Sequence, residues 1–146
     1  NDVLSLQNLD VSYCELDHNI NTEKGSHKTF SYRFQTQENS ITVATDHEGR
    51  KGKLNNNFIS FAKNTDLLVH NAQHTDDEYE ENCGHSTVSQ ALLNSLEISP
   101  KKTLLTHHHP KRNDKEINEL YEKFRRKSEF KSLDFEFAKE KIIYHL

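Results

Sequence analysis

Three apolar runs of this 146-residue chain end abruptly in Asp or His: Leu16-Asp17-His18, Val43-Ala44-Thr45-Asp46 and Leu104-Leu105-Thr106-His107. Carboxylates and neutral imidazoles are donors that divalent metal ions take, and a rigid strand end fixes their geometry. One such residue alone is no more than a polar strand terminus. Three in series, joined by Gly84-His85-Ser86-Thr87 at the start of a helical pattern, indicate a site. An imidazole at that helix start can titrate near neutral pH beside a position that favours anions. His47 directly follows Asp46, and His108 and His109 follow His107, so their side chains should diverge from the ligand positions. His70, His74 and His145 read as satisfied or exposed histidines.

The elements that must position these residues follow from the pattern. Val11–Leu16, Thr29–Phe34 and Ile41–Ala44 are β-branched or aromatic-rich and read as adjacent strands. Asn55–Lys63 places Phe58, Phe61 and Ala62 at helical spacing behind capping asparagines, and Asp66–Val69 reads as a short buried strand. A second helix, capped by Ser86 or Thr87, carries Val88, Ala91, Leu92, Ser95 and Leu96 on one stripe and ends near Pro100. Lys102–Thr106 is a strand. Asn113 with Glu116 forms a capping box opening a helix with Ile117, Leu120, Tyr121 and Phe124 on one face. The last strand is placed at Ile142–Tyr144. Strands first, then strands alternating with helices, give a layered α/β class.

Bulk properties narrow the function. With 32% hydrophobic and 29% charged residues the chain should fold around a thin core, and 146 residues suit one domain or part of one. A net charge of −4 leaves no basic field to attract nucleic acid or an anionic membrane, so an anionic substrate must be held locally. No stretch approaches the roughly 20 apolar residues of a membrane span, and no charged-then-apolar leader opens the chain. Cys14 and Cys83 lack CxxC spacing and read as reduced, buried thiols, which suits a cytoplasmic protein. Asn1 and the lack of any methionine suggest that a segment precedes this sequence. Asp76–Glu81 and Lys123–Lys127 read as solvated surface.

The order of motifs resembles the metallo-β-lactamase superfamily, in the branch of transfer-RNA 3′-end nucleases and cyclic-nucleotide or other phosphodiesterases. Leu16-Asp17-His18, Phe30-Ser31-Tyr32-Arg33-Phe34, Thr42-Val43-Ala44-Thr45-Asp46, Asp66-Leu67-Leu68-Val69-His70-Asn71-Ala72, Gly84-His85-Ser86-Thr87 and Leu104-Leu105-Thr106-His107-His108 follow the family's order. The resemblance implies an α/β fold forming the C-terminal half of a four-layer αββα sandwich. It further implies two divalent metal ions, zinc first and manganese or iron otherwise. His18 would then ligate the first metal, with His27 as its rival across an apparent insertion. Asp46 would bridge both metals and His107 would ligate the second. A bridging position needs two lone-pair directions, which Asp offers and His does not. His85 would be a catalytic histidine that is not a ligand, donating a proton to the leaving oxygen or stabilising charge on the phosphate.

Two departures from the family matter. The His-x-His-x-Asp-His motif that supplies the other ligands is missing from residues 1–146, so the chain alone is expected to be inactive and to lack its N-terminal half. Asn71 stands where relatives often carry an acidic residue, which alters a hydrogen bond behind the site. Arg33 and Asp46 are thirteen positions apart, too few for the long arm with which the transfer-RNA nucleases grip their substrate. The expected function is therefore a two-metal phosphodiesterase acting on a small phosphodiester such as a cyclic nucleotide, once the N-terminal half is present. The alternatives are a degenerate dimerisation or sensory module and a transfer-RNA 3′-end nuclease relative. An isolated half should expose its inner sheet face and pair with a separate N-terminal half or with a second copy.

Overall fold

The computed structural model describes residues 3–18, 28–49 and 54–146. Seven strands form one sheet in chain order: β1 (Val3–Leu6), β2 (Leu9–Leu16), β3 (Thr29–Gln35), β4 (Ser40–Ala44), β5 (Leu67–Asn71), β6 (Lys102–Thr106) and β7 (Phe135–Phe137). The first four pair antiparallel, β1 with β2 and β3 with β4 through short turns, and β4 to β7 run parallel. Each parallel connection carries a helix: α1 (Asn56–Ala62), α2 (Val88–Ile98) and α3 (Asp114–Arg125). Strands added in sequential order by crossovers of one hand place their helices on one face.

That face holds the core. Leu16, Ala44 and Leu68 pack with Phe58 and Ala62 of α1 and Ile98 of α2. Leu105, Phe135 and Phe137 pack with Val88, Ala91 and Leu92 of α2 and Phe124 of α3. The helices begin where their caps dictate. Asn55 accepts from the Phe58 amide, Thr87 forms a reciprocal box with Gln90, and Asn113 forms one with Glu116. At its other end α2 stops at Ser99, whose left-handed backbone (φ 57°) precedes Pro100. No helix among the described residues is long and apolar enough to cross a membrane.

The opposite face is built by the alternate residues. Strand register aligns Leu4, Val11, Phe34, Ile41 and Leu67 in one row and Tyr13, Tyr32, Val43, Val69 and Leu104 in the next. Leu4, Tyr13, Phe30 and Tyr32 are exposed there, Tyr32 at 45%. Among the described residues no helix packs on this side, so these residues form two layers, one of helices and one of sheet.

Two sequence expectations are corrected. The final strand is Phe135–Phe137, not Ile142–Tyr144. Phe135 and Phe137 point into the core while Glu136 faces out to Lys102, so this alternation pairs with β6. Ile142 and Ile143 are exposed instead. The Asp76–Glu81 stretch is not merely solvated. Asp76 accepts from the Thr87 and Ser89 hydroxyls, and Glu78 accepts from the Thr75 amide and pairs with Arg112. Cys14 and Cys83 are free thiols, each only partly buried.

Candidate metal centre

Strand direction explains why the chemistry collects at one edge. Strand β2 is antiparallel to β3 and β3 to β4, so β2 runs the same way as β4, β5 and β6. Their carboxyl ends therefore share one edge of the sheet. His18 lies just past β2, Asp46 past β4, Asn71 at the end of β5 and His107 past β6. His107 has a left-handed backbone (φ 58°), which turns the chain sharply out of β6.

The side chains meet. His107 Nδ1 is 3.5 Å from Asp46 Oδ1, and the two side chains are 35% and 41% exposed. Asp46, His85 and His107 each offer a ligand atom within 4.8 Å of the others. The His85 ring is centred 4.5 Å from His107 and 5.5 Å from His18. His18 is thus next to the trio, though outside it. His27, the rival for its role, lies outside the described residues.

Hydrogen bonds behind the site define the ligand-ready atoms. A backbone carbonyl can only accept, so the 2.6 Å contact between His18 Nδ1 and the Gly84 oxygen puts the ring proton on Nδ1. The His18 Nε2 lone pair is left for a ligand role. The backbone of Asp46 is held by the Thr29 hydroxyl, which donates to its carbonyl at 2.7 Å. Burial, then the neighbouring His107 and His18, lower the His85 pKa to about 4, against a smaller opposing pull from Asp46. This chain's donors fit a metal in kind and place, one carboxylate with imidazoles at a part-buried edge. Three of them are too few to complete two coordination spheres.

The other histidines leave the pocket. His47 turns into the core against Phe58 and His70. His108 stacks on Phe137 and donates to the Ala138 carbonyl at 3.0 Å. His109 faces His74, whose ring is 6.4 Å from His85. His70 is fully buried with both nitrogens engaged, and His145 is exposed.

Three supports escaped sequence reasoning because backbone groups or distant partners make them. The Ser86 hydroxyl donates to the His47 carbonyl at 2.6 Å and accepts from the Gly49 amide at 2.9 Å, tying the loop after β4 to the start of α2. Glu48 is buried and accepts from the Tyr79 hydroxyl and the Asn82 amide, which anchors the loop before His85. Arg112 donates to the Gln73 carbonyl at 2.6 Å and pairs with Glu78, joining the loops that follow β5 and β6. Nothing in local composition marks these partners; only their charge and loop position are visible beforehand.

No family profile and no curated protein matches this sequence. Solved structures do match it. The metallo-β-lactamase fold protein YhfI from Bacillus subtilis aligns at a TM-score of 0.73 with 17% identity, over 95% of this chain and 50% of that one. Yeast PDE1 aligns at 0.65 with 16% identity, over 95% of this chain and 47% of that one. The short form of human tRNase Z aligns at 0.58 with 22% identity, over 73% of this chain and 38% of that one. The chain spans half or less of the length of these structures.

Proposed function

We propose that this chain, which has the fold of the C-terminal half of a metallo-β-lactamase sandwich, is part of a metal-dependent hydrolase for small phosphodiesters. The observation that carries the reading is the approach of Asp46 and His107 to 3.5 Å at the carboxyl edge of the sheet. His18, with its Nε2 freed by the Gly84 carbonyl, stands beside them. Two divalent ions, when bound, would act as Lewis acids toward water and the phosphate oxygens. Asp46, His18 and His107 would hold them through a carboxylate and two imidazole nitrogens. The His85 ring is near those of both His18 and His107, a position from which it would meet the substrate phosphate.

The turn between β3 and β4 bears on substrate size. Thr36 and Asn39 close it, the Thr36 amide donating to the Asn39 carbonyl at 2.8 Å. No arm that could grip a folded RNA emerges there, and a net charge of −4 gives a polyanion no general attraction. A cyclic nucleotide or similar small diester suits the site better.

The remaining ligands come from a second half-domain that packs its own sheet on the uncovered face. The exposed apolar side chains of that face make it cohesive, at about 25 cal/mol for each Å² removed from water. Produced alone, the 146-residue chain should pair with another copy or precipitate. A folded monomer at micromolar concentration in sedimentation would refute the pairing.

The test of function uses the full-length protein. Zinc or manganese should bind with a stoichiometry of two, and a chromogenic phosphodiester should be hydrolysed in proportion to metal. Metal binding accompanied by hydrolysis of a thioester or lactam, and not of the diester, would overturn the substrate class. Absence of both metal and turnover would establish a non-catalytic module.

A further inference from the structure

The Asn71 side chain is clamped by two backbone groups whose polarity is fixed. Its Oδ1 accepts from the Ser86 amide at 2.8 Å, and its Nδ2 donates to the Thr45 carbonyl at 2.7 Å. Rotating the amide by half a turn would set NH₂ against N–H and oxygen against oxygen, losing both bonds in a buried position. The amide can therefore stand only one way. The same Nδ2 lies 3.0 Å from His85 Nδ1. One of its two hydrogens serves Thr45, and the other points to the imidazole. His85 Nδ1 must accept, so the ring proton resides on Nε2.

We infer that Asn71 is a positioning residue that locks His85 in the Nε2–H tautomer, so that His85 donates a hydrogen bond to the substrate phosphate and cannot ligate a metal. Both nitrogens are committed: the Nδ1 lone pair to Asn71 and the Nε2 lone pair to its own proton. This separates Asp46, His85 and His107 by role although they stand together as closely as a ligand set. An acidic residue at position 71 would do the opposite. A carboxylate only accepts, so it would draw the proton to Nδ1 and leave an Nε2 lone pair free beside Asp46 and His107. A neutral Nε2–H also contributes without proton transfer: it stabilises charge growing on a phosphate oxygen and keeps its proton throughout. The donor role rests on the hydrolase reading above, whereas the tautomer rests on the clamp alone.

The experiment is a long-range proton–nitrogen correlation on the full-length protein, labelled with nitrogen-15 histidine and stripped of metal, with the His85 signals assigned by their absence in His85→Gln. The expected spectrum at neutral pH shows a protonated Nε2 and an unprotonated Nδ1, and addition of zinc leaves both so. In Asn71→Asp the proton should move to Nδ1, and zinc should then perturb Nε2 directly and bind about tenfold more tightly. Wild-type His85 with its proton on Nδ1, or an averaged mixture of tautomers, overturns the inference, as does direct zinc coordination by wild-type His85. The wild-type spectra suffice if Asn71→Asp does not fold. A correct tautomer in a protein without diesterase activity would overturn the substrate reading and leave the clamp standing. Diesterase activity with the wrong tautomer would do the reverse.

Discussion

Lowering the pH from 7 to 5 should cost this protein about 2 kcal/mol of stability through His70 alone. The His70 ring is fully buried between Phe58 and His47, its Nδ1–H donating to the Asn71 carbonyl at 2.6 Å and its Nε2 facing the Asn94 amide at 3.1 Å. Burial, and secondarily the nearby His47, push its pKa down from 6.5 to about 3. The unfolded chain takes up this proton as pH falls through about 6.5, whereas the folded chain holds the ring neutral until about 3. The contribution is therefore fully present above pH 6.5 and shrinks as pH falls, by about 1.4 kcal/mol per unit. His47, lowered to about 4 chiefly by burial, acts with the same sign. Urea unfolding at pH 7, 6 and 5 gives the slope, and His70→Gln isolates the share of this one ring. The variant should be less stable at pH 7 yet lose about 2 kcal/mol less than the wild type between pH 7 and 5, most of it below pH 6. Identical slopes in the two proteins would show that His70 already carries its proton in the native state, and the argument from burial would be wrong.

Other perturbations test the site and its scaffold. In the full-length protein Asp46→Ala should abolish both metal uptake and turnover, while His85→Ala should keep the metal, read by elemental analysis, and lower turnover about 100-fold or more. Loss of metal in the His85 variant would make it a ligand. Phe124→Ala, which empties a side chain 2% exposed between α3 and the sheet, should cost about 3–5 kcal/mol in denaturant unfolding. Thr87→Ala removes the cap of α2 and its bond to Asp76, and should cost about 1 kcal/mol with faster amide exchange in the first turn.

The helices were legible because their signals are local. Asn113 with Glu116 is a capping box within one turn, and Phe58 and Ala62 have the spacing of one buried stripe. The strand ends were legible because an apolar run that breaks into Asp or His stands out along the chain, and the structure brings Asp46, His85 and His107 into one group. The strands at the two margins were not. Val3–Leu6 is only four residues long, and Phe135–Phe137 shows a single alternation, too short to distinguish from the Ile142–Tyr144 run that stays outside the sheet. The least legible features were the protonation states. Which nitrogen of His18 or His85 carries hydrogen depends on a glycine carbonyl 66 positions away and on an amide clamped by Thr45 and Ser86.

The sheet is bounded by β1 and β7, four and three residues long, and beside the latter Lys102 pairs with Glu136. Such brief margins offer a foreign strand little backbone to grip, whereas the broad side carrying Tyr13 and Tyr32 is greasy and open. Copies that meet without a proper mate should thus clap together flat, side to side, instead of growing end on into fibres. Misassembly of this protein would then yield closed pairs or amorphous clumps that a correct mate can still compete apart, because no continuous strand ladder has formed to seal them.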